Sequence, residues 1–450
     1  MTNQAKLTNL GLFDARVPRY TSYPTAPQFG SGVGPPEFAA WIRAIPSGSE
    51  ISLYLHVPFC RRLCWFCACR TQGTSSDAPV RAYAETLKAE IALFSRLLRS
   101  GVTLSRLHWG GGTPTLLMPD LIRDLAKAIF AAAPLARGGE FSVEIDPGEI
   151  DAARLDAWVA AGMNRASIGV QDFDPEIQAA IGREQSYDLT AQVVGMIRGC
   201  GVTSLNADIL FGLPYQTAGR ITATTQQLLT LTPDRVALYG YAHVPWMSRR
   251  QQMIPLDTLP TPQERLRLFE TAEALFRREG YQSIGIDHFA KPADGLAKAA
   301  RTGLLRRNFQ GYTDDAAQVL VGLGASSISR FPQGFAQNAS GTSDHTKAIR
   351  ARQFSTHRGH EFGGQDVLRG RIIEALMCDF GVDFAELDRT FGDALAELRP
   401  LFQQAKAKFG DLVVLREDRF EIIPEGRALT RIVARMFDAY DTGAKHSAAI

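Results

Sequence analysis

Strand-like and helix-like runs alternate from Ile51 to about Ser329. The candidate strands are ISLYLHV (51–57), LSRLHWG (104–110), FSVEID (141–146), ASIGVQ (166–171), SLNADILFG (204–212), RVALYGYA (235–242) and YQSIGIDH (281–288). Helical periodicity fills the gaps, as in 80–101, 152–163, 186–201 and 261–280, and several of these runs close on Gly, a common helix terminator. Strand-then-helix repeats imply parallel strands joined by crossover helices. Six or seven such units predict an α/β fold, an incomplete TIM-type barrel more than an open doubly wound sheet. In such barrels the site lies at the C-terminal ends of the strands.

The flanks differ. Residues 1–50 read as an irregular N-terminal arm. A poorly ordered terminus is the default there, but Tyr20, Tyr23 and Phe29 argue for an aromatic arm packed across a site mouth. The barrel is expected over 51–330. Residues 331–364 are rich in Gly, Ser and Gln with little periodicity and read as a linker or excursion. Residues 365–450 read as a small, mostly helical domain with a short hairpin, resembling a winged helix and serving as a cap.

The chain's 450 residues carry 49 basic and 47 acidic side chains. That balance gives no signature of a nucleic-acid binder. No apolar run is long enough to span a membrane, and the first residues lack a signal-peptide pattern. Cytoplasmic residence is the expectation, with a monomer as the default state. Thiols stay reduced there, so clustered cysteines point to metal or catalysis rather than disulfides.

Four of the six cysteines lie within ten positions, in PFCRRLCWFCAC just after the first strand. The spacing of Cys60, Cys64 and Cys67 lets three thiolates converge from one loop. The functional reading is an iron–sulfur cluster with one iron left open for a small ligand. A four-cysteine cluster using Cys69, and a zinc site, are the alternatives; zinc sites usually pair distant ligand couples. Cys200 and Cys378 are single and sit in helical patterns, as core residues do. After the second strand comes HWGGGTP (108–114). It is not a P-loop. Its glycines let backbone approach a ligand, and next to the cysteine loop it becomes a candidate seat for an amino-acid-like group. Glu144, Gln171 and Asp208 lie late in successive apolar strands, where an unpartnered polar group costs a few kcal/mol, so a shared cavity is expected. Arg183 could pair with a ligand carboxylate; alone, it reads as a surface arginine. His56, His108, His243 and His288 fall near strand ends and none is assigned as a ligand. No Ser/His/Asp triad, zinc-protease helix or nucleotide fingerprint is present.

The C-x3-C-x2-C spacing followed by GGGTP resembles the radical S-adenosylmethionine (SAM) superfamily. RYTSYPTAPQF, PFCRRLCWFCAC, LHWGGGTPTLL, SVEIDP, SIGVQDFD, ADILFGLPYQT, IGIDHFAKP and RRNFQGYT extend the resemblance to the oxygen-independent coproporphyrinogen oxidase family of haem biosynthesis, over residues 19 to about 330. The fourth cysteine and the RYTSYPT segment favour that family over its haem-chaperone-like relatives, which would bind or traffic haem without decarboxylating. The resemblance implies a [4Fe–4S] cluster on Cys60, Cys64 and Cys67, with the fourth iron chelated by SAM. Tyr54, Gly111, Glu144 and Ile328 match positions contacting that SAM. Phe66, Gly112, Thr113, Gln171, Arg183, Asp208 and Ala242 match a second SAM site. Cys69 would matter for activity without ligating iron. The implied reaction converts two propionates of coproporphyrinogen III to vinyl groups, through SAM cleavage to a 5′-deoxyadenosyl radical, with an unidentified reductant and electron acceptor. Arg16, Arg19, Arg306 and Arg307 are candidates for the substrate's propionates, and the arm would be a lid.

Overall fold

The computed structural model describes residues 3–441 and 446–450; residues 1, 2 and 442–445 of the expected arm and cap lie outside them. Among the described residues the largest sheet has twelve strands, numbered here in chain order: β1 Glu50–Val57, β2 Thr103–Gly111, β3 Leu135–Ile145, β4 Arg165–Gln171, β5 Ser204–Phe211, β6 Arg235–Gly240, β7 Gln282–Ile284, β8 His288–Ala290, β9 Leu320–Leu323, β10 Ile328–Phe331, β11 Gly334–Asn338 and β12 Thr356–Glu361. Their spatial order is β12-β11-β10-β9-β1-β2-β3-β4-β5-β6-β8-β7. From β9 through β6 every neighbouring pair is parallel. The outer strands are antiparallel. β12 and β7 end the sheet without pairing to each other, so it is an open, incomplete barrel.

Crossover helices such as Ala78–Leu97, Pro119–Ala132 and Tyr187–Gly199 cover the outer face. Between sheet and helices lies a core in which Trp109 meets Trp158 edge-on at 4.9 Å beside Phe141. The inner face is different. Tyr54, Glu144, Gln171 and Asp208 are only half-buried, each between buried neighbours in the chain. Alternation along β4 is complete, with Arg165, Ser167, Gly169 and Gln171 half-buried and the residues between them buried. A polar-lined lumen follows from that pleat.

Two expectations of regular structure needed revision. YQSIGIDH is not a seventh parallel strand. Gly285 takes φ +53° in its middle, and the run splits into β7 and β8, paired antiparallel. Residues 331–364, expected to be irregular, hold β11, helix Thr342–Arg350 and β12.

The first fifty residues are largely ordered, with helices Asn3–Asn9 and Pro35–Arg43. Leu7, Leu12, Phe13, Val17, Tyr20 and Tyr23 pack into one cluster with the C-terminal helices. Gly30 bridges to Gly359 in the edge strand β12, while Arg19 Nη2 donates to Gly240 O at the end of β6, 2.7 Å away. The arm therefore crosses the open side of the sheet. Residues beyond 365 form helices Asp366–Asp379, Phe384–Phe391, Arg399–Phe409 and Thr430–Arg435 with a small three-stranded antiparallel sheet.

Candidate active site

β1 runs into the cysteine loop. Phe59–Cys60 pairs with Gln72–Gly73 and closes the loop at its base. Its interior is tied down by main-chain carbonyls. Gln251 Nε2 donates to Phe66 O at 2.8 Å, Ser248 Oγ to Cys67 O at 2.8 Å, and Arg250 Nη2 to Cys69 O at 3.3 Å. Trp65 N donates to Ile181 O at 2.9 Å. Cys64 is buried, Cys60 and Cys67 are half-buried, and Cys69 is exposed. Among the described residues no three Cys, His, Asp or Glu side chains converge as they would on a single ion.

The three thiols nonetheless have graded surroundings. Arg183 Nη1 lies 3.5 Å from Cys64 Sγ. The Cys69 backbone N–H points to Cys67 Sγ at 3.4 Å. Hydrogen bonding from Cys69 draws the Cys67 thiol down to about 6, against the opposing effect of burial. Burial pushes the Cys60 thiol up to about 11, moderated by Thr113. Soft thiolates on one loop, with donors aimed at two of them, suit an iron–sulfur group.

The glycine turn after β2 is fixed by the protein's own packing. A Cβ on Gly110 would lie 2.6 Å from Glu144 Oε1. On Gly111, at φ +111°, it would lie 2.3 Å from the His56 ring, and on Gly112 2.6 Å from Phe59 O. Gly112 N donates to Val57 O and Thr113 N to Phe59 O, both at 2.8 Å. The glycines thus allow the turn to lock onto the cysteine loop, a reason the ligand-approach reading did not contain. Gly111 N also donates to Glu144 Oε2 at 2.9 Å, and His108 Nε2 lies 3.2 Å from Glu144 Oε1. Burial would raise the Glu144 carboxyl, but His108 and the Gly111 N–H hold it below its ordinary range. Tyr54, opposite His108 in the register, stacks on its ring at 5.8 Å. Ile328 begins β10, whose partner β9 pairs with β1.

A second group lies farther along the sheet. Gln171 ends β4 at φ +69°, a strained conformation for a non-glycine residue. Arg183, expected at the surface if taken alone, is buried. It donates to Asp146 Oδ2 at 3.1 Å and to Gly169 O and Gln185 Oε1 at 2.9 Å each. Asp208 faces the lumen, accepts from Asn206 Nδ2 at 2.8 Å, and is pushed up to about 6 by burial. Ala242 O accepts from the same Gln251 amide that holds Phe66 O. Tyr54, Gly111 and Glu144 therefore adjoin the cysteine loop, with Ile328 on the neighbouring side of the sheet. Gln171 and Asp208 lie half-buried on the next two strands, and the buried Arg183 connects Gly169 of β4 to Cys64 and Asp146. His108, Asp146, Ser248, Arg250 and Gln251 were not anticipated as supports, since their role depends on partners far away in sequence.

Comparison with known proteins adds three findings. Residues 54–228 match the radical SAM superfamily. The chain is 63% identical to an oxygen-independent coproporphyrinogen III oxidase of Paracoccus denitrificans and 60% identical to one of Cereibacter sphaeroides, each over the full length of both chains. Its fold superposes on the coproporphyrinogen III oxidase (HemN) of Escherichia coli, described as a radical SAM enzyme, with a TM-score of 0.89 and 34% identity, covering 95% of this chain and all of that one.

Proposed function

The chain belongs to the oxygen-independent coproporphyrinogen III oxidases of the radical SAM superfamily, and we propose how its own residues carry out the oxidative decarboxylation of two coproporphyrinogen III propionates to vinyl groups. Cys60, Cys64 and Cys67 would hold a [4Fe–4S] cluster with one iron left open to SAM. When bound, the cluster and SAM supply one-electron cleavage of a sulfonium and hydrogen-atom abstraction from the propionate β-carbon.

Everything else is placement. Glu144, held ionised by His108 and the Gly111 N–H, would accept a hydrogen bond from the SAM amino group. Tyr54 and Ile328 wall the same site. Phe66, Gly112, Thr113, Gln171, Arg183, Asp208 and Ala242 form a second SAM site, with Arg183 also steadying Cys64. Cys69 acts through Cys67, by directing hydrogen bonds to its sulfur, and does not ligate iron. The arm and the C-terminal residues close the open side and keep water from the radical. The described residues include no helix long and apolar enough to cross a membrane. The reaction needs a separate one-electron reductant to cleave SAM and an electron acceptor that takes up the electron released with each CO2, and we place the enzyme in the cytoplasm.

The observation that carries this reading is the block formed by the cysteine loop, the glycine turn and Glu144 at the strand ends. Its test is anaerobic incubation of the cluster-loaded protein with SAM, reductant and coproporphyrinogen III. The reading requires 5′-deoxyadenosine together with divinyl product. A full cluster that yields neither overturns it, and leaves a haem-binding role without decarboxylation.

A further inference from the structure

The arginines near the open side of the sheet are unequally satisfied. Arg16 is exposed, 5.9 Å from the centroid of the Trp246 ring. Arg306 spends Nη1 on Gly303 O and Leu305 O. Arg265 donates to Ile450 O, Gly212 O and Tyr241 O. Arg431 donates to Val17 O, Pro18 O, Ala448 O and Ala449 O. These four are either solvated or consumed by main-chain carbonyls.

Arg307 is neither. Its side chain is 5% exposed and lies over the Tyr312 ring at 4.5 Å. Its Nε and Nη1 are buried without a hydrogen-bond acceptor among the described residues. The nearest carboxylate oxygen, Asp287 Oδ1, stands 4.0 Å from Nη1, beyond hydrogen-bond range. That oxygen is already engaged by His288 Nδ1 at 2.7 Å. Arg19 makes one side-chain hydrogen bond among the described residues, to Gly240 O. Asp287 O accepts from Leu238 N at 2.8 Å, two residues before the Gly240 that holds Arg19, so Asp287 lies at the stretch of sheet that both arginines approach. One shared carboxylate is poor compensation for the enclosed Arg307 guanidinium and the half-buried Arg19, and unmet buried donors of the Arg307 kind are costly.

Their position is informative. Arg307 lines a cavity of about 320 Å³ walled by Tyr20 and Tyr23 of the arm and by Phe309. Arg19 reaches the end of β6, two residues before Ala242. Arg19 thus stands between the arm and the second proposed SAM site, while Arg307 faces the cavity under Tyr20 and Tyr23.

We propose that Arg19 and Arg307 form a seat for a carboxylate of the substrate, one propionate of coproporphyrinogen III held under the arm. The inference rests on the substrate reading above. Paired guanidiniums stabilise a carboxylate as an anion. They would therefore oppose its loss as CO2, because that step removes the negative charge they bind. The seat accordingly holds a propionate that is not reacting, and sets which one faces the radical source.

The test uses coproporphyrin III, the oxidised and unreactive form of the ring, and its tetramethyl ester, titrated by fluorescence quenching. The wild type should bind the acid at least tenfold tighter than the ester. Arg19→Gln and Arg307→Gln should each weaken the acid about tenfold, the size of a lost charge-assisted hydrogen bond, and leave the ester unchanged. Arg307→Lys, which keeps charge and most of the volume, should recover part of the loss. Cluster iron and SAM affinity should be unaffected in all three. Variants that bind the acid as tightly as the wild type, or lose acid and ester alike, overturn the seat. A wild type that binds neither porphyrin overturns the substrate reading itself.

Discussion

Glu144 Oε2 accepts the Gly111 backbone N–H at 2.9 Å, and this bond joins the ends of β2 and β3 behind the cysteine loop. It works only because Gly111 takes φ +111° with no side chain between it and His56. Gly111→Ala should strain the turn by about 1–3 kcal/mol and lower SAM affinity at least tenfold, read by equilibrium dialysis. Glu144→Gln keeps an acceptor but removes the charge, so it should weaken SAM about tenfold with little change in folding. Unaltered SAM binding in both variants would refute the assigned role of this pair.

Arg183 bridges Asp146, Gly169, Gln185 and the Cys64 sulfur with two nitrogens. A lysine has no planar fork and cannot serve all four. Arg183→Lys should cost about 1–3 kcal/mol in urea unfolding of the cluster-free protein. It should also make Cys64 more reactive toward a thiol reagent. Equal labelling rates in the two proteins would show that Arg183 does not hold the loop.

Asp208 gives a pH signature. Burial raises it to about 6 in the folded chain, above its ordinary value. The folded state then prefers the protonated acid. Stability from this group is full below about pH 4 and is lost as pH rises through about 6. Asp208→Asn should therefore stabilise the protein by on the order of 1–3 kcal/mol at pH 7.5, and the gain should shrink between pH 6 and 4. Denaturant midpoints at the two ends of that range check it; an equal gain at both, or none, counts against a buried carboxylate at this position.

Arg431 pins the arm through Val17 O, 2.7 Å from Nη2, and Pro18 O, 3.1 Å from Nε. Arg431→Gln cannot span all of its partners. Trypsin cleavage after Arg16 or Arg19 should quicken about tenfold, as local opening becomes easier by about 1.4 kcal/mol. Substrate protection of those bonds should persist at higher porphyrin concentration. An unchanged cleavage rate would mean that other contacts fasten the arm.

Much of this architecture was legible because its signals are local. The six parallel strands β1 to β6 follow from short apolar runs spaced by helical ones. The cysteine loop and glycine turn are contiguous motifs. YQSIGIDH misled because the apolar run hides a left-handed glycine at its centre. β11 was hidden because all five of its residues are buried, so no polar alternation marks it. Arg183 looked like a surface residue since its partners come from Asp146, Gly169 and the cysteine loop, up to 119 positions away. The selection of Arg19 and Arg307 over Arg16 and Arg306 is likewise a matter of which carbonyls lie within reach, and no local pattern encodes that.

The central claim is that three cysteines hold a four-iron cluster whose remaining iron is open to SAM. Mössbauer spectroscopy of 57Fe-reconstituted protein, with and without SAM, tests it most directly, alongside Cys67→Ala and Cys69→Ala. The account predicts that one iron in four shifts when SAM is added, that Cys69→Ala retains this behaviour, and that Cys67→Ala loses the cluster. Four irons indifferent to SAM, or a cluster that survives Cys67→Ala and disappears in Cys69→Ala, would contradict it.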